Sequence, residues 1–423
     1  MRDTDGTGER GTGDWGWAGG LAAAALLLRA LYVWRMVARY GADQFSDFLY
    51  MDRLAQSLAA GSGFALWGER IFNQSIGYPF LLSLCYRLCG SHWAVMMGMN
   101  VVLGALSVGL VYLLARSLSW DYGRPGTGRK VAVSGALLAL FYPDSLLYCA
   151  FAASENLLIP LVLLVLLAST SKWKSCLLQG GTVGFLAAGM ASVKAYALLL
   201  CLLLPLVWWY KDRRFVARTA AAALLGIVCL VPWTYLNYVA SEGRFVPFAS
   251  IAGTVVLDGT NPLASGKPTN VVELAPEDEV PKHPVDLDRA YMRKAIGYIR
   301  ESPAWFAKLC VKKVIWGLVP VRDFVFEAFD QVRLFTPFLS RWGTTAFNTV
   351  LLFGSMLGIG LAVKNRTTFV LGLGLFVAPM LIQLIFCAVP RYRFPFWFCL
   401  APYVGYGGVR VATFLASRLR NAR

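Results

Sequence analysis

Two aspartates, Asp47 and Asp52, directly follow the first long apolar run of the sequence, in the stretch FSDFLYMDRLAQ. A carboxylate at a membrane boundary can serve as a general base for an attacking hydroxyl group. It can also simply stabilise a helix N-terminus, where the helix dipole favours negative charge. We predict a helix from Asp47 to just before Gly61, capped by Ser46, because apolar side chains recur on one face. These side chains are Phe48, Met51, Ala55 and Leu58.

Three basic residues interrupt or border apolar runs elsewhere in the chain. Lys194 lies within GMASVKAYALLL, and Arg391 and Arg393 stand two positions apart in VPRYRFP. An ionisable side chain at membrane depth is a functional candidate, and arginine forks match phosphate oxygens well. Residues at i and i+2 of an extended corner point in opposite directions, so we expect one arginine of the pair to face inward. The alternative reading of these residues is that they snorkel towards lipid headgroups.

Glu155 begins a further apolar run and gives the chain another carboxylate at a span boundary. It can orient an acceptor, cap its own helix, or hold Mg²⁺ or Mn²⁺ together with Asp47. The only two histidines, His92 and His283, are far apart, and the nine cysteines form no CxxC motif. The sequence therefore indicates no histidine-based or zinc site. A divalent cation stays open as an alternative, and no cofactor is assigned.

The composition excludes an ordinary soluble domain. Hydrophobic residues make up 57% of the 423 residues and charged residues 15%, so the chain cannot cover a globule with polar surface. The formal charge of +16 could suggest nucleic acid, but excess lysine and arginine also sets the orientation of membrane proteins. We assign the charge to topology, predict no nucleic-acid partner, and predict an all-α polytopic membrane protein.

About ten runs are long and apolar enough to cross a bilayer. They fall near residues 18–38, 92–115, 131–149, 154–170, 177–193, 195–210, 219–237, 343–362, 367–388 and 394–414. The apolar piece 78–90 is too short to cross, and we place it in the outer interface. Five basic segments then fall on one side, which is cytoplasmic by the positive-inside rule. These segments are 116–130, 171–174, 211–218, 363–366 and 417–423.

We predict four regions from this arrangement. Residues 1–17 form a disordered cytoplasmic tail, and residues 18–237 form an N-terminal transmembrane module with an outer catalytic loop at 39–91. Residues 238–342 form a long outer loop, which is rich in proline and acidic residues before it continues into interfacial helices. Residues 343–423 form a C-terminal transmembrane module that ends in a basic cytoplasmic tail.

The outer segments resemble the GT-C membrane glycosyltransferases, in the branch of the protein O-mannosyltransferases and of the aminoarabinose transferases that act on lipid A. The similar stretches are Asp47 with Tyr50, GSGF and GYPFLL, then YPDSLLYCAFAASENLL, PWTYLNY, GRFVPFASIAGTVVLDGTNPLASG, AIGYIRESPAWFAKLCVKKVIWGL and RYRFP. They cover roughly half of the chain, in the family's order. One difference is Leu236, which stands where the family usually has an arginine before the asparagine, so a contact from that position is missing.

The resemblance implies that Asp47 is the catalytic carboxylate and that Glu155 takes the position of the acid at the second outer corner. It leaves Asp52 without a counterpart, and we interpret Asp52 as structural. The resemblance and the location of the outer aromatic residues also suggest a substrate pocket. We assign to this pocket Tyr50, Tyr78 and Asn261.

We predict an inverting glycosyltransferase that moves a monosaccharide from a polyprenyl-phosphate donor to an acceptor hydroxyl or phosphate. Cleavage between sugar C1 and phosphate leaves negative charge on the phosphate, so cations must meet it while a carboxylate meets the acceptor. We assign Arg391, Arg393 and Lys194 to the donor phosphate. The partners are then the lipid-linked sugar, membrane lipids and an acceptor lipid, glycan or protein. A bacterial inner membrane with an outward-facing site fits the compact loops.

Two other functions stay open. A transporter or flippase would carry charged residues inside its spans and paired broken helices in a repeated architecture, whereas the ionisable residues here gather on one face. A non-catalytic glycan-assembly protein would bind through the same outer loops without using Asp47 as a base.

Overall fold

The computed structural model describes residues 12–120, 127–268, 281–320 and 337–421. Its first half contains α1 (Thr12–Tyr40), α2 (Ser46–Ala59), the hairpin β1 (Ala65–Leu66) and β2 (Glu69–Arg70), α3 (Gly77–Cys89), α4 (Trp93–Ser117), α5 (Thr127–Leu140), α6 (Pro143–Tyr148), α7 (Glu155–Thr170) and α8 (Cys176–Val193). A 3₁₀ turn, Ala195–Ala197, then precedes α9 (Leu198–Cys201), α10 (Leu204–Trp209), α11 (Phe215–Ala240), α12 (Ala252–Gly259), α13 (Pro284–Glu301), α14 (Pro303–Leu318), α15 (Pro337–Leu361), α16 (Arg366–Ile385), α17 (Pro390–Phe398) and α18 (Ala401–Asn421).

Six of the described helices are long and apolar enough to cross a membrane, namely α1, α4, α8, α11, α15 and α16. The ten predicted runs all coincide with helices, and three of them are broken into two pieces each. These are the runs at 131–149, 195–210 and 394–414. The prediction of an all-α polytopic membrane protein is confirmed, and the chain is an integral membrane protein.

The first helix begins earlier than predicted. Asp14 is buried on α1, where its Oδ1 accepts hydrogen bonds from the Tyr112 hydroxyl at 2.9 Å and from Arg116 Nε at 3.0 Å. This contact with α4 extends the helix to Thr12, six positions before the predicted start of the span. Residues 1–11 of the predicted tail lie outside the described part of the chain.

The helix after the first span forms as predicted, but its cap does not. Phe45 is the N-cap residue, α2 begins at Ser46 with φ +50°, and the side chains give no capping hydrogen bond. The predicted apolar face is confirmed, since Phe48, Met51 and Ala55 are buried together with Leu54. This face packs against α3 and the core of the helix bundle. The packing fixes α2 in place and thereby the position of Asp47 in its first turn.

A buried charged side chain lies inside the first span, which the sequence analysis did not anticipate. Arg29 on α1 is fully buried, and its Nη2 donates to Ser145 Oγ at 2.9 Å and to the carbonyl oxygen of Ala139 at 3.3 Å. These partners lie on α6 and α5, so the guanidinium joins the three helices within the bundle.

Small residues bring α8 and α11 into close contact. A Cβ atom placed on Gly184 would lie 2.2 Å from the carbonyl oxygen of Ala222, whereas one on Gly189 would lie 3.7 Å from the Leu161 side chain. The backbones of α8 and α11 therefore touch at Gly184.

Gly184→Ala is expected to lower the free energy of unfolding by about 1–3 kcal/mol, because the added methyl group pushes the two helices apart. Thermal unfolding of the detergent-solubilised protein measures this change. Gly189→Ala is the matched control on the same helix and is expected to leave the melting temperature unchanged or slightly higher. Equal melting temperatures for the two variants would contradict the close contact.

Candidate functional site

A buried ion cluster joins α2, α7 and α17. Arg391 donates from Nε to Glu155 Oε1 at 2.5 Å and from Nη2 to Glu155 Oε2 at 3.2 Å. Its Nη1 donates to Asp47 Oδ2 at 3.1 Å. The guanidinium also lies over the Phe48 ring, 5.1 Å from its centroid. Arg391 thus bridges the two carboxylates that the sequence left open as metal ligands.

Each member of the cluster stands at the start of a helix. Asp47 lies in the first turn of α2, and Glu155 is the first residue of α7. Pro390 begins α17, where proline fixes a suitable φ and its missing N–H is not needed, so Arg391 follows in the same turn. The carboxylates benefit from the positive end of their helix dipoles.

The two carboxylates of the cluster differ in exposure. The Glu155 side chain is 0% exposed and both of its oxygens bind Arg391, whereas the Asp47 side chain is 49% exposed. Within the described part of the chain, Oδ1 of Asp47 receives no hydrogen bond. Asp47 can therefore accept a proton from a bound molecule, while Glu155 is committed to holding Arg391.

Lys194 adds a second cation to this site. It is the C-cap residue of α8 and has extended backbone angles, φ −150° and ψ 104°, so the chain turns away from the helix there. The charges of Arg391, Glu155 and Asp47 all act on its ammonium group. Among the described residues, the ammonium has no hydrogen-bond acceptor, and it is free to meet an anion.

A cavity of about 570 Å³ opens beside the cluster. Asp47, Lys194 and Arg391 line it together, and the loop segment 245–252 and the short segment 73–75 form much of the remaining wall. Cavities of this size commonly hold small molecules. The structure thus brings together in one cavity three of the residues singled out from the sequence, with Glu155 directly behind Arg391.

Arg393, which the sequence analysis assigned to the donor phosphate, does not line this cavity. Its Nη1 donates to the carbonyl oxygens of Gly317 and Val319, both at 2.7 Å. The corner at Pro390 is helical instead of extended, and residues at i and i+2 of a helix also point to different sides. Both arginines are buried, but only Arg391 lines the cavity.

The three residues assigned to a substrate pocket lie elsewhere in the described structure. Tyr78 is buried and donates to Asn100 Oδ1 at 2.9 Å, and the Tyr50 ring packs edge-on against Trp67. Asn261 is buried, and its Nδ2 donates to two carbonyl oxygens at the end of α12. Side chains of these types are often internal, so the sequence alone could not separate a packing role from a ligand role.

Asp52 has the structural role expected from the sequence. Its carboxylate accepts hydrogen bonds from the Tyr86 hydroxyl and from Gln56 Nε2, and the first of these joins α2 to α3. Burial raises the pKa of Asp52, while the hydrogen bond from Tyr86 acts in the opposite direction. Asp52 does not line the cavity described above.

The sequence analysis missed several residues of the cavity wall, among them Tyr196, Asp258, Cys387 and Tyr392. Two signals were present, because Tyr196 follows Lys194 by two positions and Tyr392 directly follows Arg391. Among the described residues, no group of three or more histidine, cysteine, aspartate or glutamate side chains is arranged to hold a metal ion.

Two crystal structures of ArnT from Cupriavidus metallidurans resemble this fold. The one bound to undecaprenyl phosphate has a TM-score of 0.43 and 14% identity, and the apo one has a TM-score of 0.42 and 16% identity. Each comparison covers 93% of this chain and 78% of the ArnT chain. No protein-family model matches the sequence, and no curated protein matches it. ArnT is an aminoarabinose transferase of the GT-C type, the branch that the sequence resembles.

Proposed function

We propose that this protein is an inverting glycosyltransferase that moves a monosaccharide from a polyprenyl-phosphate donor to an acceptor hydroxyl or phosphate at the membrane–water interface. The observation that carries the proposal is the shared cavity of Asp47, Lys194 and Arg391 in an integral membrane protein. One carboxylate with a free oxygen and two cations are the groups that this reaction requires.

The reaction breaks the bond between sugar C1 and phosphate oxygen and forms a bond from C1 to the acceptor oxygen. Lys194 and Arg391 bind the phosphate and stabilise the charge that the leaving polyprenyl phosphate acquires. Asp47 removes the acceptor's proton as its oxygen attacks C1 from the face opposite the phosphate, which inverts the configuration at C1. Glu155 is a positioning residue, because it fixes the guanidinium of Arg391.

An apolar groove of about 480 Å³ supports a lipid-linked donor. It runs along α11, with Leu230 and Val231 in its wall, and it shares Phe245, Pro247 and Phe248 with the cavity. A polyprenyl chain must stay in apolar surroundings, whereas its phosphosugar must stay in polar surroundings. The segment shared by the groove and the cavity lies between these two spaces. The ligand class is also that of the crystal structure of ArnT bound to undecaprenyl phosphate.

We further propose a bacterial inner membrane as the location, with the cavity facing outward. The residues of the cluster come from four segments that the positive-inside rule assigns to the outer face. The acceptor is a lipid, a glycan or a protein at that face. A divalent cation has no assigned ligands in this proposal, since Arg391 occupies the position between the two carboxylates.

The proposal is tested with purified protein, polyprenyl-phosphate monosaccharides and membrane extracts as the source of acceptors. Mass spectrometry is expected to detect release of polyprenyl phosphate and appearance of a glycosylated product. A transporter would instead move the lipid-linked sugar between the leaflets of vesicles without consuming it. Movement without consumption would refute the glycosyltransferase assignment.

Lys194→Met is expected to weaken binding of sugar-free polyprenyl phosphate by about tenfold to a hundredfold, since a hydrogen bond to a charged group contributes about 1.5–3 kcal/mol. The melting temperature is expected to stay equal or rise, because the half-buried Lys194 has no hydrogen-bond acceptor for its ammonium group among the described residues. Tryptophan fluorescence titration with the lipid measures the affinity. Lys308→Met, on the exposed part of α14, is the control and should bind like the wild type. Unchanged binding by Lys194→Met would remove this residue from the phosphate site.

A further inference from the structure

The loop segment 245–248 lies between the apolar groove along α11 and the cavity of the ion cluster. Phe245, Pro247 and Phe248 line both spaces, whereas Val246 is 2% exposed. We call residues 245–248 the partition segment. It belongs to no helix or strand of the structure. Its position therefore depends on the groups that bind its backbone carbonyl oxygens and N–H groups.

Two side chains of α11 hold carbonyl groups of the partition segment. Asn237 Nδ2 donates to the carbonyl oxygen of Val246 at 3.2 Å, and it lies 3.5 Å from the carbonyl oxygen of Phe248. Trp233 Nε1 donates to the same carbonyl oxygen of Phe248 at 2.9 Å. The backbone of the partition segment is therefore attached to α11 at two positions, by an amide and an indole one helical turn apart.

The amide of Asn237 is fixed in one orientation. Asn237 is 1% exposed, and its Oδ1 accepts a hydrogen bond from Arg70 Nη2 at 3.3 Å. Because the oxygen end meets Arg70, the Nδ2 end is the one that donates to the partition segment. Arg70 lies on β2, and its guanidinium lies 5.6 Å from the centroid of the Trp233 ring. The hairpin thus supports both side chains that hold the segment.

The chain after β2 holds the loop from another side. The backbone N–H of Ser250 donates to the carbonyl oxygen of Phe72 at 2.6 Å, and Val246 packs against Phe72 and Val285. Phe245 has no such cover, since it is 63% exposed. The backbone of the partition segment is therefore held in place, while the Phe245 side chain is open to a ligand.

On the basis of the proposed function, we infer that Asn237 and Trp233 are positioning residues for the donor. Neither of them lines the groove or the cavity, so they act through the partition segment. They fix the place where the junction of lipid and phosphate crosses from the groove into the cavity. A ligand that occupies two spaces at once gains affinity only when its own length matches the distance between them. The spacing of groove and cavity is therefore what these two residues maintain.

The test compares a ligand that spans both spaces with ligands that fill one space each. The spanning ligand is sugar-free polyprenyl phosphate, and the other two are polyprenol for the groove and dimethylallyl phosphate for the cavity. Asn237→Asp keeps an acceptor for Arg70 but removes the N–H groups that hold the partition segment. It is expected to bind polyprenyl phosphate about tenfold more weakly, while the other two ligands bind within about twofold of the wild type. Equilibrium binding of radiolabelled ligands measures the three affinities.

Gln179→Glu is the matched control. Gln179 is 2% exposed, and its Nε2 donates to the carbonyl oxygens of Ala168 and Ser169 at the end of α7. The substitution makes the same chemical change beside the basic segment 171–174 and outside both the groove and the cavity. It is expected to lower the melting temperature, as Asn237→Asp does, and to bind all three ligands as the wild type does.

The binding data distinguish a wrong positioning role from a wrong function. If the wild type does not bind polyprenyl phosphate, the proposed function fails. If the wild type binds it and Asn237→Asp either binds it equally well or binds all three ligands equally more weakly, the positioning role is wrong while the proposed function stands. Trp233→Phe decides the matter if Asn237→Asp does not fold, because it removes the N–H donated to Phe248 and keeps an aromatic ring. It must bind polyprenyl phosphate about fivefold more weakly and leave the other two affinities unchanged, and any other pattern overturns the positioning role.

Discussion

Asp47→Asn is expected to slow sugar transfer by roughly a thousandfold, within the range of about 10²–10⁴ that a positioned general base contributes. Asparagine has nearly the same size as aspartate and can still accept a hydrogen bond from Arg391, but it cannot take a proton from the acceptor. The free oxygen of Asp47 and its 49% side-chain exposure are what make proton transfer from a bound acceptor feasible. Single-turnover assays with saturating donor measure the chemical step directly.

The variant should bind sugar-free polyprenyl phosphate about as well as the wild type, because the cations that meet the phosphate are unchanged. Asp43→Asn is the matched control, since this exposed carboxylate lies four residues earlier and outside the cavity. Its transfer rate should equal that of the wild type. A normal rate for Asp47→Asn would exclude the catalytic role, and a lost affinity for the lipid would assign Asp47 to binding instead.

The cluster was predictable because its members stand at the ends of apolar runs. Hydrophobic length defines each span, and the distribution of basic loops assigns each end to one face, so residues of one face become candidates for contact. Asp47, Glu155 and Lys194 were selected in this way, and the structure brings them together around Arg391. The assignment of a residue to one face of the membrane requires no knowledge of how the helices pack. It can therefore be made from the sequence alone.

The direction of individual side chains was less predictable. Arg393 differs from Arg391 only by two positions, and the two side chains point to different sides in an extended corner and in a helical one, so the spacing does not say which of them lines the cavity. Asp258 lies on a short helix in the long loop, and its contact with Cys387 joins residues 129 positions apart. No local spacing encodes such a contact. This part of the cavity wall depends on the packing of α12 against the chain after α16, and the sequence alone does not predict that packing.

The start of α1 and the cap of α2 show the same limit on a smaller scale. The sequence analysis placed Asp14 in a polar tail. In the structure it is buried in the bundle, where it accepts a hydrogen bond from Arg116, which lies 102 positions later in the chain. Ser46 has the chemistry of a helix cap, but its positive φ places it inside the helix start, and Phe45 takes the cap position. A helix cap typically contributes about 1 kcal/mol of stability. Tertiary contacts that contribute more free energy than this can override the local preference for a capping residue.

Glu155→Gln is expected to lower the free energy of unfolding by about 3–5 kcal/mol, because removal of one charge of a buried pair leaves the other uncompensated. Arg391 is 8% exposed, and its remaining anionic partner, Asp47, touches only one of its nitrogens. Transfer should also fall, since the guanidinium is no longer held in place. Thermal unfolding and transfer assays on the same preparation measure both effects.

The double variant Glu155→Leu with Arg391→Met separates folding from catalysis. Replacing both members of a buried ion pair by apolar side chains is often neutral for stability. The melting temperature should therefore recover towards that of the wild type, while transfer stays lost because the phosphate has lost a cation. If the double variant were as unstable as Glu155→Gln, packing and not the uncompensated charge would explain the loss. If the double variant transferred sugar normally, Arg391 would have no part in the reaction, and the ion pair would serve only to fasten α7 to α17.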